Sequence, residues 1–166
     1  MAETLNITGD ASSMLANKFE PKRKFRWVLE IDGIDAFLCK TASRPQLTFE
    51  ETKIQWINVE RKLAGRATWG DMSVTLYDPI APSGAQQVME WIRLNFESIT
   101  GRSGYSDFYK RDIVLKMLDP VGTVVELWDV KGAWVADCNF NDLDYSASDA
   151  VEITLSIKMD NCVLQY

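Results

Sequence analysis

The stretch Val151-Glu152-Ile153-Thr154-Leu155-Ser156-Ile157-Lys158-Met159 alternates apolar and polar side chains without a break. Successive side chains of a strand point to opposite faces, so this spacing puts Val151, Ile153, Leu155, Ile157 and Met159 on one face. Glu152, Thr154, Ser156 and Lys158 take the other. A helix would spread the same residues around its circumference. The segment is therefore a half-buried β-strand, and it identifies a β domain.

The same period recurs upstream. Phe25, Trp27, Leu29 and Ile31 alternate with Arg26, Val28, Glu30 and Asp32. Asp32-Gly33 is a turn dipeptide, which predicts Ile34–Lys40 as the returning antiparallel partner. Further strands are predicted at Lys53–Glu60, Met72–Tyr77, Ile113–Leu118, Val124–Val130 and Trp134–Asn139, with Lys131-Gly132 a bend or bulge. Gly65 and Gly70 read as a turn, and Asp78-Pro79 with Pro82 ends the strand before them. One helix follows near residues 84–97: Ser83 is placed to cap it, and Ala85, Val88, Met89, Ile92 and Phe96 recur at helical steps, with Trp91 extending the stripe. About eight strands and one flanking helix make a β-sandwich or partly rolled barrel. Residues 1–20, polar and mixed, read as an N-terminal arm, and 21–166 as a single domain.

Composition narrows the function. The chain has no histidine, which removes Ser-His-Asp and Cys-His nucleophile pairs and the commonest metal ligand. Cys39, Cys138 and Cys162 lie far apart with no metal-site spacing. No cofactor is expected. Met1–Lys18 lacks the basic start and apolar stretch of a signal peptide, and no apolar run is long enough to span a bilayer. Charge is uneven: residues 1–118 hold 16 basic and 15 acidic side chains, residues 119–166 hold 2 and 9. An acidic C-terminal third does not grip phosphates. Asp142, Asp144 and Glu152 are the acids that a retaining glycosidase would draw on, but acidic pairs of this kind are common and the reading is non-enzymatic.

A set of motifs goes further. Phe37-x-Cys39-Lys40-x-Ala42-x-x-Pro45, Arg61-Lys62-x-Ala64-Gly65 and Asp71-x-x-Val74-Thr75 precede Trp91 in the helix and Thr100-Gly101 after it. Tyr109-Lys110-x-x-Ile113-Val114, Lys131-Gly132-x-Trp134 and Glu152-x-Thr154-Leu155 complete the order. In this succession, from about Phe25 to the C-terminus, the chain resembles the tube proteins of contractile phage tails.

The resemblance implies two packed antiparallel sheets and six copies per ring, the rings stacking into a tube inside a contractile sheath. It implies a virion tail subunit assembled in the bacterial cytoplasm. Its partners would be copies of itself, the sheath protein, the baseplate and the tail terminator. The tape-measure protein and genomic DNA would pass through the lumen without specific binding. The segment Thr41–Thr52 resembles the long loop that meets the adjacent ring, with Arg44, Pro45, Glu50 and Glu51 as contacts. Gln55, Glu60 and Glu126 are lumen candidates, with ordinary solvated strand faces as the alternative. Cys39, Cys138 and Cys162 are candidates for disulfides between subunits. Two other assignments stay open: the tube of a type VI secretion or related injection machine, and a carbohydrate- or protein-binding baseplate module.

Overall fold

The computed structural model describes residues 20–165. The arm expected over residues 1–20 falls, save its last residue, outside them.

Nine strands form. They are β1 (Trp27–Ile31), β2 (Cys39–Ala42), β3 (Leu47–Trp56), β4 (Val59–Trp69), β5 (Met72–Tyr77), β6 (Arg111–Leu118), β7 (Val124–Asn139), β8 (Glu152–Lys158) and β9 (Asn161–Leu164). Seven join in one antiparallel sheet ordered β1-β6-β7-β8-β5-β2, with β9 on β7; β3 and β4 pair only with each other. The larger sheet stays open, with β1 and β2 at its ends.

β7 makes this sheet into a sandwich. Its first part pairs with β6 and β9, and its last part, Trp134–Asn139, pairs with β8. The change falls at Gly132, whose φ of +65° no other residue type adopts without cost. One layer is thus β1, β6, the start of β7 and β9; the other is β2, β5, β8 and the end of β7. Leu29, Ile113 and Val130 of the first meet Val74, Ile153 and Leu155 of the second in one core, all at 0% exposure. Each such side chain contributes about 1.5–3 kcal/mol by leaving water. The odd-numbered face of β8 is the buried one at Ile153, Leu155 and Ile157, as its alternation requires.

A Cβ at Gly132 would lie 2.3 Å from an Asp160 carboxylate oxygen, in addition to the strain of positive φ. Gly132→Ala is expected to cost about 1–2 kcal/mol, seen as a lower urea midpoint with an unchanged slope.

The helix α1 (Gly84–Asn95) covers one side of the core. Ser83 caps it through its hydroxyl, which accepts from the Gln86 amide at 3.4 Å. Trp91 is 1% exposed and its indole N–H donates to the Tyr109 carbonyl at 2.7 Å. Phe96 departs from the expected stripe: it is the extended residue that ends the helix (φ −144°), so its ring leaves the helical face and is exposed.

Three expectations are corrected here. The Asp32-Gly33 turn forms, with Ile31 bridging Ile34, but the chain then enters a short 3-10 turn at Ala36–Leu38 and β2 pairs with β5. β1 takes β6 as its partner instead. Gly65 is no turn residue; it lies inside β4, where a Cβ would press within 2.9 Å of the Glu50 carbonyl. Half of the expected Thr41–Thr52 loop, Leu47–Thr52, is the start of β3, and its first two residues end β2.

Candidate assembly interface

β3 and β4 make a hairpin of ten and eleven residues joined at Ile57-Asn58. At the usual rise, ten residues reach about 33 Å. Every residue of β3 is exposed, and β4 is nearly so. The hairpin's root is closed by the Gly70 amide, which donates to the Gln46 carbonyl (2.8 Å), and beside it the Ser43 amide donates to the Ser73 carbonyl of β5 (2.8 Å). The Trp69 indole donates to Asn161 at 3.1 Å.

The register divides the hairpin into two unlike faces. Glu51, Lys53 and Gln55 stand opposite Ala64, Lys62 and Glu60; Thr52, Ile54 and Trp56 stand opposite Leu63, Arg61 and Val59. Directly opposed residues share a face. One face is therefore charged and internally paired, with Lys53–Glu60 at 3.5 Å and Lys62–Glu51 at 3.3 Å. The other carries Ile54, Trp56, Val59 and Leu63, with Trp56 75% exposed. Ile57 at the tip is 87% exposed at φ +52°, a conformation unfavourable for a β-branched residue. A two-stranded ribbon is marginal in water by itself. This one shows solvent an apolar surface of the kind that marks a contact site.

Below the hairpin root lies a buried carboxylate. Glu126, on the first part of β7, is 5% exposed. Arg44 Nη2 donates to its two oxygens at 2.7 and 2.8 Å, and Lys22 Nζ and the Trp128 indole also donate to it. Burial pushes the Glu126 carboxyl up, but the hydrogen bonds from Lys22 and Trp128 and the charges of Arg44 and Lys22 outweigh it and hold the group below the usual carboxylate range.

A family model described as the T4-like virus tail tube protein gp19 matches residues 23–162. The chain belongs to that family. The tail tube protein gp19 of Enterobacteria phage T4 is 24% identical over 127 residues, covering 73% of this chain and 77% of that one. The tail tube protein of Serratia phage KSP90 is 28% identical over 115 residues, covering 68% of this chain and 64% of that one. The fold is also that of a chain in the extended sheath–tube complex of an extracellular contractile injection system (PVC). There the TM-score is 0.70 at 15% identity, over 93% of this chain and 97% of that one. The protein is a structural tube subunit of a tail, as its motif order implied.

In this tail tube subunit the predicted site residues fall into three places. Gln55 and Glu60 are cross-strand partners on the charged face of the hairpin. Glu50 and Glu51 lie on β3, while Arg44 and Pro45 are in the β2–β3 connection. Glu126 is 5% exposed, with its carboxylate held by Lys22, Arg44 and Trp128. Arg44 and Glu126, expected in separate roles, are bonded to each other. The apolar face of the hairpin was missed. Its signal is present in Ile54-x-Trp56 and Val59-x-Arg61-x-Leu63, but the expected strand Lys53–Glu60 runs straight through the turn at Ile57-Asn58, which puts Val59 out of phase with Ile54 and Trp56.

The cysteines are poorly placed for bridging. Cys162 is 5% exposed within the core, so a disulfide to another copy is closed to it. Cys39 and Cys138 are half-buried against the same core. Burial pushes all three thiols up to about 11, with a nearby carboxylate adding to the effect at Cys138 (Asp137) and Cys162 (Asp129). At pH 8 only about one part in a thousand is thiolate, so the folded subunit is expected to react with Ellman's reagent roughly a hundredfold more slowly than glutathione. Urea should restore the ordinary rate; fast labelling of the native protein would contradict the burial.

Among the described residues, no helix is long and apolar enough to cross a membrane, and no three His, Cys, Asp or Glu side chains cluster as metal ligands.

Proposed function

We propose that six copies of this subunit close into a ring, and that rings stack within a contractile sheath to form the channel for genome ejection. The observation that carries this is the projecting hairpin with an uncovered apolar face behind an ion-paired one. A second copy that covers Ile54, Trp56, Val59 and Leu63 removes from water what the subunit's own body leaves exposed. Its free strand edges, with those of β1 and β2, supply backbone donors and acceptors for pairing between copies. Such head-to-tail contacts close when their rotation divides a full turn.

In this reading the charged face, with Gln55 and Glu60, lines the lumen. Glu51 and Glu60 balance Lys53 and Lys62, so the wall carries no excess of cations. DNA gains little by neutralisation there and slides past, as does the tape-measure protein. The β2–β3 connection at Pro45, with Glu50 and Glu51 beyond it, meets the next ring. Sheath, baseplate and terminator proteins bind the outside and the two ends, and assembly takes place in the cytoplasm of the bacterial host. The likeness to an extracellular injection system supports a second reading with an effector as cargo. The family match over residues 23–162 favours the phage.

The test is negative-stain electron microscopy of the concentrated protein, alone and with a baseplate extract as nucleus. Six-fold rings or hollow tubes are expected. Small monodisperse particles under both conditions would remove the tube reading.

A further inference from the structure

We infer that Glu126, buried within the subunit, is the positioning residue for the hairpin, setting the direction in which it leaves the body. The inference rests on the tube reading for its purpose but not for its geometry. Gln46–Gly70 closes the hairpin's own root, and the body holds it through the Ser43–Ser73 bonds, through Trp69, which packs against the core and donates to Asn161, and through Arg44 on Glu126. Among these only the Arg44 contact is an ion pair, with one guanidinium nitrogen, Nη2, donating to both carboxylate oxygens in charge-assisted bonds. Trp128, two residues on along the same face of β7, holds the carboxylate from a third side.

Lys22 makes the device more than a fastening. It comes from the segment that precedes β1, so one carboxylate gathers the entry to the domain and the entry to the hairpin. Ordering either segment on Glu126 orients the acceptor for the other. A few degrees at the root are magnified along some 33 Å of ribbon, so a small slackening displaces Trp56 and Ile57 from any complementary surface. The side chain that decides the fit is then far from the contact itself.

Three variants separate this role from the two simpler ones. Glu126→Gln keeps the shape and removes the charge; Arg44→Met removes the other partner from a half-exposed position; the third combines them. Each single change is expected to raise the concentration needed for tube growth about tenfold or more, the size of one strong ionic hydrogen bond, and the double variant no further than either. The melting temperature of Arg44→Met should fall by no more than about 5 °C, because Lys22 and the Trp128 indole still bond the buried carboxylate. Glu126→Asp should recover part of the loss. Hydrogen exchange on the free subunit supplies a readout that needs no assembly. In Glu126→Gln the Ser43 and Gly70 amides should exchange about tenfold faster while those of β8 are unchanged.

Normal tube growth by Glu126→Gln overturns the inference, and with Arg44→Met still impaired it identifies Arg44 as a direct contact. Additive losses, or losses that follow the melting temperature, also overturn it. Unchanged exchange at Ser43 and Gly70 does so whether or not tubes form. Absence of tubes from the unmodified protein is the separate failure of the ring proposal.

Discussion

Trp56→Glu is expected to abolish tube formation while leaving the melting temperature of the subunit where it was. Trp56 is 75% exposed on the apolar face of the hairpin and pairs only with Val59 across the turn. The body of the subunit has nothing to lose from the change. An assembled neighbour has much to lose. Burial of a large aromatic contributes about 3 kcal/mol, and enclosing a carboxylate in its place adds a penalty of several more. Together these raise the threshold concentration by more than a hundredfold, which in practice means no tubes. Electron microscopy alongside a circular-dichroism melt checks both halves. Tubes from Trp56→Glu at the parent concentration would show that the apolar face is not the contact.

Trp91→Ala should do the opposite and fail within the subunit. Trp91 is the largest fully buried side chain among the described residues, and it links α1 to the sandwich by packing and to the segment before β6 by its bond to the Tyr109 carbonyl. Truncation opens a cavity worth about 3–5 kcal/mol and leaves that carbonyl without its donor. For a domain of this size the melting temperature should fall by about 10–15 °C. Phe96→Ala, from the same expected stripe but exposed, should change it by less than about 2 °C. A comparable fall for both variants would mean that the helix packs differently from the structure described.

The contrast between these residues shows where the sequence could be read and where it could not. β8 was plain because one face is fully buried and the other is not, so its alternation is complete. The helix was plain for the same reason, with Ser83 to mark its start. Phe96 misled because helical spacing continues for one residue past the point where the backbone stops being helical. The hairpin was hidden by its bulge. A register shift between Phe49 and Glu51, answered by Gly65 opposite, breaks the alternation midway and splits one long strand into fragments. Glu126 misled differently. An acidic residue on a strand is by habit placed toward water, and only tertiary structure shows that Lys22 and Arg44, distant in sequence, reach it. Strand pairing also lay beyond local signals: β1 pairs with β6, some eighty residues on in sequence, and no turn joins them.

If subunits stack as proposed, the continuous strand β7 has a mechanical meaning for a tube under axial load. In a sandwich whose layers only rest on each other, thrust on one layer must cross to the other through side-chain contacts, which slip. Here the polypeptide itself passes from layer to layer at Gly132, so the two are joined in series by covalent bonds. Force entering at β6 or β9 reaches β8 as tension or compression along a single backbone. Sliding the layers apart would require unzipping β7 from β6, β8 and β9 together, a shear of many hydrogen bonds at once instead of a peel of one after another. The subunit is thereby built to transmit a push without changing shape.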